Sequence, residues 1–419
     1  MTMKTITFIF LFTLSAGIFS QTWTQQTGPY NNKTFYSTCV IDTNICWMAG
    51  DTSVVIRTTN AGANWVSVSS NTIAANLYYI FATDVNHAWT GGDDGSIYYT
   101  TNGGTNWHVS VPTPTTPFVD GIHMFNNSIG FAVCDPPTGD SIWAYYTTTN
   151  GGVNWIRGAN APHCTNNETG LNSCIWALDT GHIYWGGTAS KIYYGGFKGT
   201  ISSITSPFGN TFGIAFENTS MGVIIGSAAT YRTTNGGTNW TIVAGSQGGY
   251  GISQAPSYQS YYWIAKGNGT PGGIYRSVDD GQTFAAQITG HHFFSVSTPN
   301  VQIGWAGCDS GRIFRYRSND PIEVKKISTE LPNNYSLSQN YPNPFNPSTT
   351  IRFSVPLTNL VNIVVYDILG NKVATVLDKR MLAGSYEVGF NASNLSSGVY
   401  FYTITAGQFK DSKKMILAK

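Results

Sequence analysis

Charged residues are scarce in this chain of 419 residues, where Asp, Glu, Lys and Arg together make up 10% of the positions. No stretch concentrates Lys and Arg, and the formal net charge is +1, so the chain lacks the basic surface that neutralises nucleic-acid phosphates. The six cysteines form no CxxC motif and no Cys/His spacing of a zinc site. We therefore expect no nucleic acid, no metal and no cofactor as a ligand.

Long apolar runs are also absent, except at the start of the chain. Lys4 precedes an apolar run from Ile6 to Phe19, which is short for a membrane span and is typical of a secretory signal peptide. We predict a signal peptide over residues 1–20, with a retained anchor as the alternative, and no transmembrane span in the mature chain. Export permits disulfides, and Cys39 and Cys46 flank a predicted hairpin turn, so they are the predicted pair.

A motif of eight residues, Thr-Thr-Asn-Gly-Gly-Thr-Asn-Trp at 100–107, returns along the chain. From the copy that contains Asn60 to the copy that contains Asp279, successive Asn or Asp residues are 42, 48, 85 and 44 positions apart, and the interval of 85 is two periods. Asn tolerates a left-handed backbone and the following glycines supply positive φ, so each copy predicts a turn between two strands. The aromatic residue that ends each copy is predicted to wedge between neighbouring sheets. We interpret the following residues as structural: Asn60, Trp65, Asn102, Trp107, Asn150, Trp155, Asn235, Trp240, Asp279 and Phe284.

These copies resemble the Asp-box, or BNR, repeats of sialidase-type β-propellers, and more closely the repeats of photosystem II assembly-factor-like propellers. A second signal, an aromatic or apolar residue followed by small residues, occurs seven times, and the period is that of a propeller blade. The strand start Thr22-Trp23-Thr24 is similar to Asn239-Trp240-Thr241 and is predicted to complete the last blade. We therefore predict an all-β chain in which residues 21–318 form a seven-bladed β-propeller.

The remainder of the chain is predicted to form a polar linker, at 319–340, and a small Ig-like β-sandwich, at 341–419. Four segments carry a further resemblance, namely Asn-Tyr-Pro-Asn-Pro-Phe-Asn-Pro at 340–347, Val-Tyr-Asp-Ile-Leu-Gly at 365–370, Leu-Ser-Ser-Gly-Val-Tyr-Phe-Tyr at 395–402 and Lys-Lys-Met-Ile-Leu at 413–417. They closely resemble the type A C-terminal sorting domain of type IX secretion cargo. The resemblance implies Sec export into the periplasm, passage across the outer membrane, removal of the tail by a sortase-like peptidase, and a secreted or surface-attached protein.

Candidate binding residues fall on one predicted face of the propeller, where the turns after the second strands meet the loops between blades. Asp51, Asp93, Asp135 and Asp309 each follow their blade's aromatic residue by four positions. Asp is also a common turn residue, so four structural turns are the alternative to a ring of carboxylates that binds a cation or a sugar. Further candidates are His163 and Glu168, in the longest irregular insert, and His292, near the channel.

Two functions remain open at this point. The first is a non-enzymatic, secreted propeller that binds a protein or a glycan at the cell surface. The alternative is an extracellular glycoside hydrolase that acts on a polysaccharide through loop-face carboxylates. The Arg-Ile-Pro segment of sialidases is absent from the chain. Two loop-face carboxyl groups roughly 5 to 10 Å apart in an aromatic cleft would favour the hydrolase.

Overall fold

A computed structural model describes residues 22–418, except 138, 166–167, 247, 256–260, 268–271, 300, 302, 319–324, 329–331, 358, 382 and 393–394. The predicted signal peptide at residues 1–20 lies outside the described residues. The described part of the chain contains strands and no helix, so the predicted all-β class is confirmed. Accordingly, it contains no helix that is long and apolar enough to cross a membrane.

Seven four-stranded antiparallel sheets occupy residues 22–317. The first is β2 (Phe35–Val40), β3 (Cys46–Gly50), β4 (Val55–Thr58) and β5 (Val66–Ser67); the second is β6 (Leu77–Ala82), β7 (Ala88–Gly92), β8 (Ile97–Thr100) and β9 (His108–Ser110). The third is β10 (Val119–Met124), β11 (Gly130–Cys134), β12 (Ala144–Thr148) and β13 (Ile156–Arg157); the fourth is β14 (Gly170–Asp179), β15 (His182–Gly187), β16 (Lys191–Gly195) and β17 (Ile201–Thr205).

The remaining three sheets follow in the same order. The fifth is β18 (Gly213–Phe216), β19 (Gly222–Ile225), β20 (Thr230–Thr233) and β21 (Thr241–Ile242); the sixth is β22 (Gly251–Gln254), β23 (Tyr262–Lys266), β24 (Gly273–Ser277) and β25 (Ala285–Thr289). The seventh combines β26 (Phe293–Ser297), β27 (Ile303–Cys308) and β28 (Ile313–Arg317) with β1 (Thr22–Gln26). The seven inner strands, β2, β6, β10, β14, β18, β22 and β26, contact one another in this order, and β26 contacts β2. The sheets therefore form a closed ring around an axis.

The first and last sheets are joined by the N-terminal strand. β1 pairs with β28 over its whole length, and Trp23 packs against Trp263 with their ring centroids 5.7 Å apart. Gln26 Oε1 accepts hydrogen bonds from Nε1 of Trp65, at 3.1 Å, and from Nε1 of Trp305, at 3.0 Å. Because Trp65 follows the first sheet's turn and Trp305 belongs to the last sheet, one side chain links the two ends of the ring.

The recurring motif forms the turn between the third and fourth strands of a sheet. In the copy that begins at Thr100, the Thr100 hydroxyl accepts a bond from the Gly104 amide at 2.9 Å, and Asn102 Oδ1 accepts one from the Asn106 amide at 2.9 Å. The same two bonds recur in all five copies, at 2.9 to 3.0 Å. The aromatic residue that ends the copy is buried in three cases, at Trp65, Trp107 and Trp155, while Trp240 and Phe284 are partly exposed.

The predicted pairing of Cys39 with Cys46 is wrong. Both are free thiols, as are the other four cysteines. In the hairpin of β2 and β3, Val40 lies opposite Cys46 and Cys39 lies opposite Trp47. Neighbouring residues of a strand point to opposite faces, so this offset of one residue places the two thiols on different sides of the sheet.

The C-terminal unit contains two four-stranded sheets, with the orders β29-β34-β31-β30 and β33-β32-β35-β36. Its strands are β29 (Lys325–Ser328), β30 (Ser336–Leu337), β31 (Ser348–Val355), β32 (Asn359–Tyr366), β33 (Lys372–Met381), β34 (Gly384–Asn391), β35 (Gly398–Ala406) and β36 (Phe409–Leu417). Alternate residues of facing strands, such as Ile351, Phe353 and Ile363, form one core. Because β29 and β30 pair with this unit, the segment predicted as a linker at 319–340 belongs partly to the sandwich.

The proline-rich opening of this unit is tied to later strands by specific hydrogen bonds. Asn340 donates its backbone amide to the Tyr402 hydroxyl at 2.8 Å and its side-chain amide to Thr349 Oγ1 at 2.9 Å. Asn343 Oδ1 accepts a bond from the Ile416 amide at 2.9 Å, and Phe345 is buried. The segments that carry the sorting-domain resemblance thus contact one another in the folded unit.

Candidate functional site at the channel mouth

The four predicted aspartates occupy one structural position in four sheets. Each follows a second strand, and its backbone amide donates a hydrogen bond to the carbonyl of the residue directly before the same sheet's inner strand. The bonds are Asp51 to Thr34 at 3.1 Å, Asp93 to Asn76 at 3.3 Å, Asp135 to Phe118 at 3.0 Å and Asp309 to His292 at 3.3 Å. The shared spacing in the sequence therefore corresponds to a shared place at one end of the ring.

Their carboxylates, however, make different contacts. Asp51 Oδ2 accepts a hydrogen bond from the backbone amide of Thr34, in its own sheet, at 3.1 Å. The Asp93 carboxylate accepts hydrogen bonds from the backbone amide and the side-chain amide of Asn76, at 2.9 and 2.7 Å. The carboxylate of Asp309 pairs with Arg312. Asp135 differs, since its Oδ1 accepts the Gly170 amide of the next sheet at 2.7 Å. Thus three of the four carboxylates are engaged within their own sheet, and Asp135 alone of the four lines the cavity at this end.

This cavity, which we call the channel mouth, has a volume of 390 Å³ and is surrounded by the inner strands of the ring. Its wall contains residues from the beginnings of all seven inner strands. They are Tyr36, Tyr78, Phe118, Asp120, Asp135, Gly170, Leu171, Asn172, Ser173, Phe212, Tyr250 and Phe294. The volume lies at the lower end of the range of about 300 to 1,000 Å³ that is usual for ligand pockets.

Six aromatic side chains, which we call the aromatic arc, form most of the wall. In spatial order they are Phe118, Tyr78, Tyr36, Phe294, Tyr250 and Phe212. Successive ring centroids are 5.1, 4.8, 5.6, 6.2 and 5.3 Å apart, so each ring contacts the next. All six side chains are partly exposed, unlike the tryptophans of the core. The arc is open at the fourth sheet, which contributes no aromatic residue to the wall.

Two carboxylates, Asp120 and Asp135, stand beside this opening, and we call them the acidic pair. Asp120 is only 4% exposed, and its Oδ2 accepts no hydrogen bond among the described residues. A Cβ atom on Gly170 would lie 2.1 Å from that oxygen, so only glycine permits the carboxylate to pack there. Asp135 Oδ1 also accepts a hydrogen bond from the Gly170 amide, so both carboxyl groups contact the same glycine. The dimensions of that residue place Asp120 Oδ2 and Asp135 Oδ1 within roughly 7 Å of each other.

The electrostatic environment favours the neutral form of both carboxyl groups. Burial raises the pKa of Asp120 well above its ordinary value, and the nearby Asp135 raises it further. Burial also raises the pKa of Asp135, although the hydrogen bond from the Gly170 amide opposes this shift. The surroundings of the acidic pair therefore disfavour its negative charges.

The other predicted site residues lie outside the cavity wall. Glu168 is buried and accepts bonds from the Tyr193 hydroxyl, at 3.0 Å, and from the amide and hydroxyl of Thr165, both at 3.0 Å, so it is fully engaged in holding its loop. His163 is exposed, with Nδ1 3.2 Å from the Ser141 carbonyl, and His292 is exposed, 3.7 Å from Asp309. No group of three or more His, Cys, Asp or Glu residues in the described ranges is arranged to hold a metal ion.

The sequence predictions missed Asp120, Gly170 and the aromatic arc. A charged residue within the apolar run Val119-Asp120-Gly121-Ile122 was the available signal for Asp120. An aromatic residue near the start of six inner strands was the signal for the arc. The sequence did not reveal which strands meet at the axis or which carboxylate would remain without a partner.

Two protein-family models match parts of the chain. Residues 339–418 match the family described as the secretion system C-terminal sorting domain. Residues 17–134 match the family of the photosynthesis system II assembly factor YCF48. A comparison with the curated proteins found no match.

Solved structures with the same propeller fold share little sequence with this chain. YCF48 bound to a D1 peptide is similar with a TM-score of 0.55 and 16% identity, over 71% of this chain and 97% of that one. YCF48 from Cyanidioschyzon merolae gives 0.55 and 17%, over 70% and 98%. The WD40 β-propeller domain of Doa1 gives 0.56 and 9%, over 72% and 98%. At these identities the likeness establishes the fold alone.

The two units together give the chain its place among known proteins. The predicted resemblances to assembly-factor propellers and to the sorting domain are both confirmed. The chain carries YCF48-like β-propeller repeats followed by a type IX C-terminal sorting domain, which indicates export and a secreted or cell-surface location.

Proposed function

We propose that the propeller is a non-enzymatic binding module of an exported protein, and that a protein or glycan ligand enters the cavity at the channel mouth. The aromatic arc is the observation that supports this function. Six sheets each place one partly exposed ring on the same wall, where the ring borders the cavity as well as its neighbours in the arc. Large amphipathic rings around a concave opening are typical of binding sites.

The aromatic side chains of the core are a different set from those of the arc. Seven tryptophans are fully buried, among them Trp47, Trp89 and Trp185. The rings of the arc contact one another across the mouth instead. One structurally similar protein, YCF48, has been solved with a bound D1 peptide, which makes a peptide a reasonable class of ligand to test here.

Binding would be tested with arrays of surface glycans and of extended peptides, using the purified full-length protein. We expect a ligand whose binding is lost in Tyr78→Ala, because this change removes a ring from the middle of the arc. Tyr194→Ala is the matched control, since Tyr194 is 37% exposed on β16, the third strand of the fourth sheet, and lies outside the cavity. Equal loss in both variants, or no loss in Tyr78→Ala, would contradict binding at the mouth.

The C-terminal domain supports a second part of the proposal, namely that the type IX machinery exports the chain and that a sortase-like peptidase removes the tail. A chain truncated after Asp320 should accumulate in the periplasm of a host with this pathway, with its propeller folded. A signal-bearing passenger fused to residues 321–419 should reach the outside and lose the tail. Surface delivery of the truncated chain, or retention of the tail on exported protein, would reject this role.

A glycoside hydrolase remains the second candidate because the acidic pair lies within roughly 7 Å in an aromatic-walled cavity, a separation open to carboxyl pairs of such enzymes. Hydrolysis requires one neutral and one ionised carboxyl group. Burial raises the pKa of Asp120 well above its ordinary value, whereas the hydrogen bond from the Gly170 amide opposes the rise at Asp135. We place hydrolysis second because the aromatic arc accounts for binding without requiring a reaction.

Release of reducing ends from a panel of polysaccharides distinguishes the two candidates. The binding module should release none at any pH between 4 and 8. Release that disappears in both Asp120→Asn and Asp135→Asn, and persists in Asp93→Asn, would establish the hydrolase instead. Asp93 is the matched control because it holds the equivalent position in the second sheet but bonds Asn76.

A further inference from the structure

The opening in the aromatic arc coincides with a break in the regular pairing of the fourth sheet. The register between β14 and β15 is interrupted between Gly170 and Ile175, and the intervening Leu171, Asn172 and Ser173 line the cavity. At the same place the third sheet puts a carboxylate where others have a ring, because Asp120 occupies the bulge that Tyr36 occupies in the first sheet. The wall is thus aromatic except at one segment, where the acidic pair lies beside Gly170 and the neutral residues 171–173.

The acidic pair has no counter-ion in the propeller. Every Lys, Arg and His between residues 22 and 318 lies in the described part of the chain, and none forms an ion pair with Asp120 or Asp135. By contrast, Asp140 bonds Arg157 at 2.6 Å, and Asp309 pairs with Arg312. A buried carboxylate without a charged partner or a full set of hydrogen bonds is costly to the fold.

We propose that the acidic pair binds the cationic end of an arginine or lysine side chain presented by a protein ligand, while the apolar stem of that side chain lies along the aromatic arc. The inference rests on the proposed binding function and specifies its ligand. A bound cation supplies the counter-ion that the described residues of the propeller do not provide. A guanidinium has five donors in a fixed fork and can bridge two carboxylates, so arginine should bind more tightly than lysine.

The geometry favours a basic side chain over an amino sugar. The rings of Tyr36 and Tyr78 are stacked on each other, with centroids 4.8 Å apart and planes inclined by 20°. Tyr36 and Phe294 meet edge to face, at 83°. Tyr36 and Tyr78 therefore turn their faces to each other and offer no broad flat platform for a sugar ring in the middle of the arc, whereas a slender side chain can pass along their edges.

The test uses the peptide Ac-Gly-Gly-Arg-Gly-Gly-amide and its lysine and citrulline counterparts, titrated calorimetrically into the full-length protein at pH 7. Citrulline keeps the shape of arginine but has no charge. We expect the arginine peptide to bind at least tenfold more tightly than the citrulline peptide. Asp120→Asn and Asp135→Asn should each weaken arginine binding at least tenfold, and Asp93→Asn should change it less than twofold. Thermal unfolding of each variant verifies that it is folded.

Several results would overturn the inference. They are equal binding of the citrulline and arginine peptides, unchanged binding in both acidic-pair variants, no binding of any basic peptide, and tighter binding of glucosamine oligosaccharides. If a neutral ligand binds and requires Tyr78, the binding function stands and only the cation inference fails. If no ligand depends on Tyr78, the proposed function itself fails.

Discussion

Two regions of the propeller differ in how strictly they repeat from sheet to sheet. The rim, which we define as the five turns between third and fourth strands, keeps its contacts, whereas the mouth, at the starts of the inner strands, does not. At the rim, five turns repeat two hydrogen bonds with nearly identical lengths, whether the central residue is Asn102 or Asp279. At the mouth, the equivalent bulge holds Tyr36 in the first sheet and Asp120 in the third. Each turn at the rim repeats the same two hydrogen bonds from backbone amides to its own side chains, whereas at the mouth Oδ2 of the buried Asp120 accepts no hydrogen bond among the described residues.

This difference separates the residues that build the ring from those that are available to a ligand. A position that repeats in sequence and in contacts is explained by the fold. A residue that differs from its equivalents in the other sheets and that costs stability requires another explanation, and ligand binding is a common one. Substitutions at the rim should therefore reduce stability, and substitutions at the acidic pair should change binding.

The largest effect is expected from removing the strand that closes the ring. Deletion of residues 22–26 eliminates the pairing of β1 with β28 and the two bonds to Gln26, and it exposes the edge of the last sheet. We expect a loss on the order of 5 kcal/mol or more, comparable with the whole stability of a domain. Chemical denaturation and size-exclusion chromatography measure it, with the exposed Gln25→Ala as the control. A monomer with unchanged unfolding would contradict closure by β1.

A smaller loss is expected at a buried tryptophan of the rim. Trp107 is 4% exposed, its Nε1 donates to the Val68 carbonyl at 2.8 Å, and its ring meets that of Trp47 edge to face. Trp107→Ala should cost about 3 to 5 kcal/mol in the free energy of unfolding. Ligand binding at the mouth should remain within twofold, and Trp107→Phe should lose less stability. Lost binding with intact stability would reverse the comparison between rim and mouth.

The smallest rim effect concerns the turn itself. Asn102→Ala removes the acceptor of the Asn106 amide and should cost about 1 kcal/mol. The chain supplies its own control, because Asp279 makes the same contacts in the last copy. Asn102→Asp should therefore stay within about 0.5 kcal/mol of the unmodified protein. If Asp is as damaging as Ala in denaturant titrations, the five turns are not interchangeable.

Local patterns were sufficient to predict the fold class and the sorting domain. The Asn-Gly-Gly turns and the period of the tryptophans depend on residues close in sequence, and the structure and comparisons confirm the propeller fold. The tail was recognisable because Asn340 and its neighbours form contacts that only a fixed set of residue types can make.

The site depended on features that sequence does not encode locally. Asp120 meets Asp135 and Gly170 only because the third and fourth inner strands are neighbours and β14 breaks its register there. The disulfide failed for a related reason, since the hairpin register places Cys39 and Cys46 on opposite faces. A register shift of one residue changes which side chains meet, and spacing along the chain does not specify it.

The central claim is that the acidic pair serves a ligand rather than the fold, and the stability of Asp120→Asn measured from pH 4 to pH 8 tests it most directly. Asp120 has a raised pKa and is surrounded by Asp135, Cys134 and Cys174, none of which supplies a positive charge. Its contribution to stability is therefore complete below the ordinary carboxyl value of 3.8 and is lost as the pH rises toward the raised pKa.

The variant carries no such penalty, so without ligand it should be more stable than the unmodified protein at pH 7, by on the order of 1 to 3 kcal/mol. The difference should shrink as the pH falls toward 4. A variant that is less stable at pH 7, by a margin independent of pH, would show that the Asp120 carboxylate supports the fold and would contradict the account.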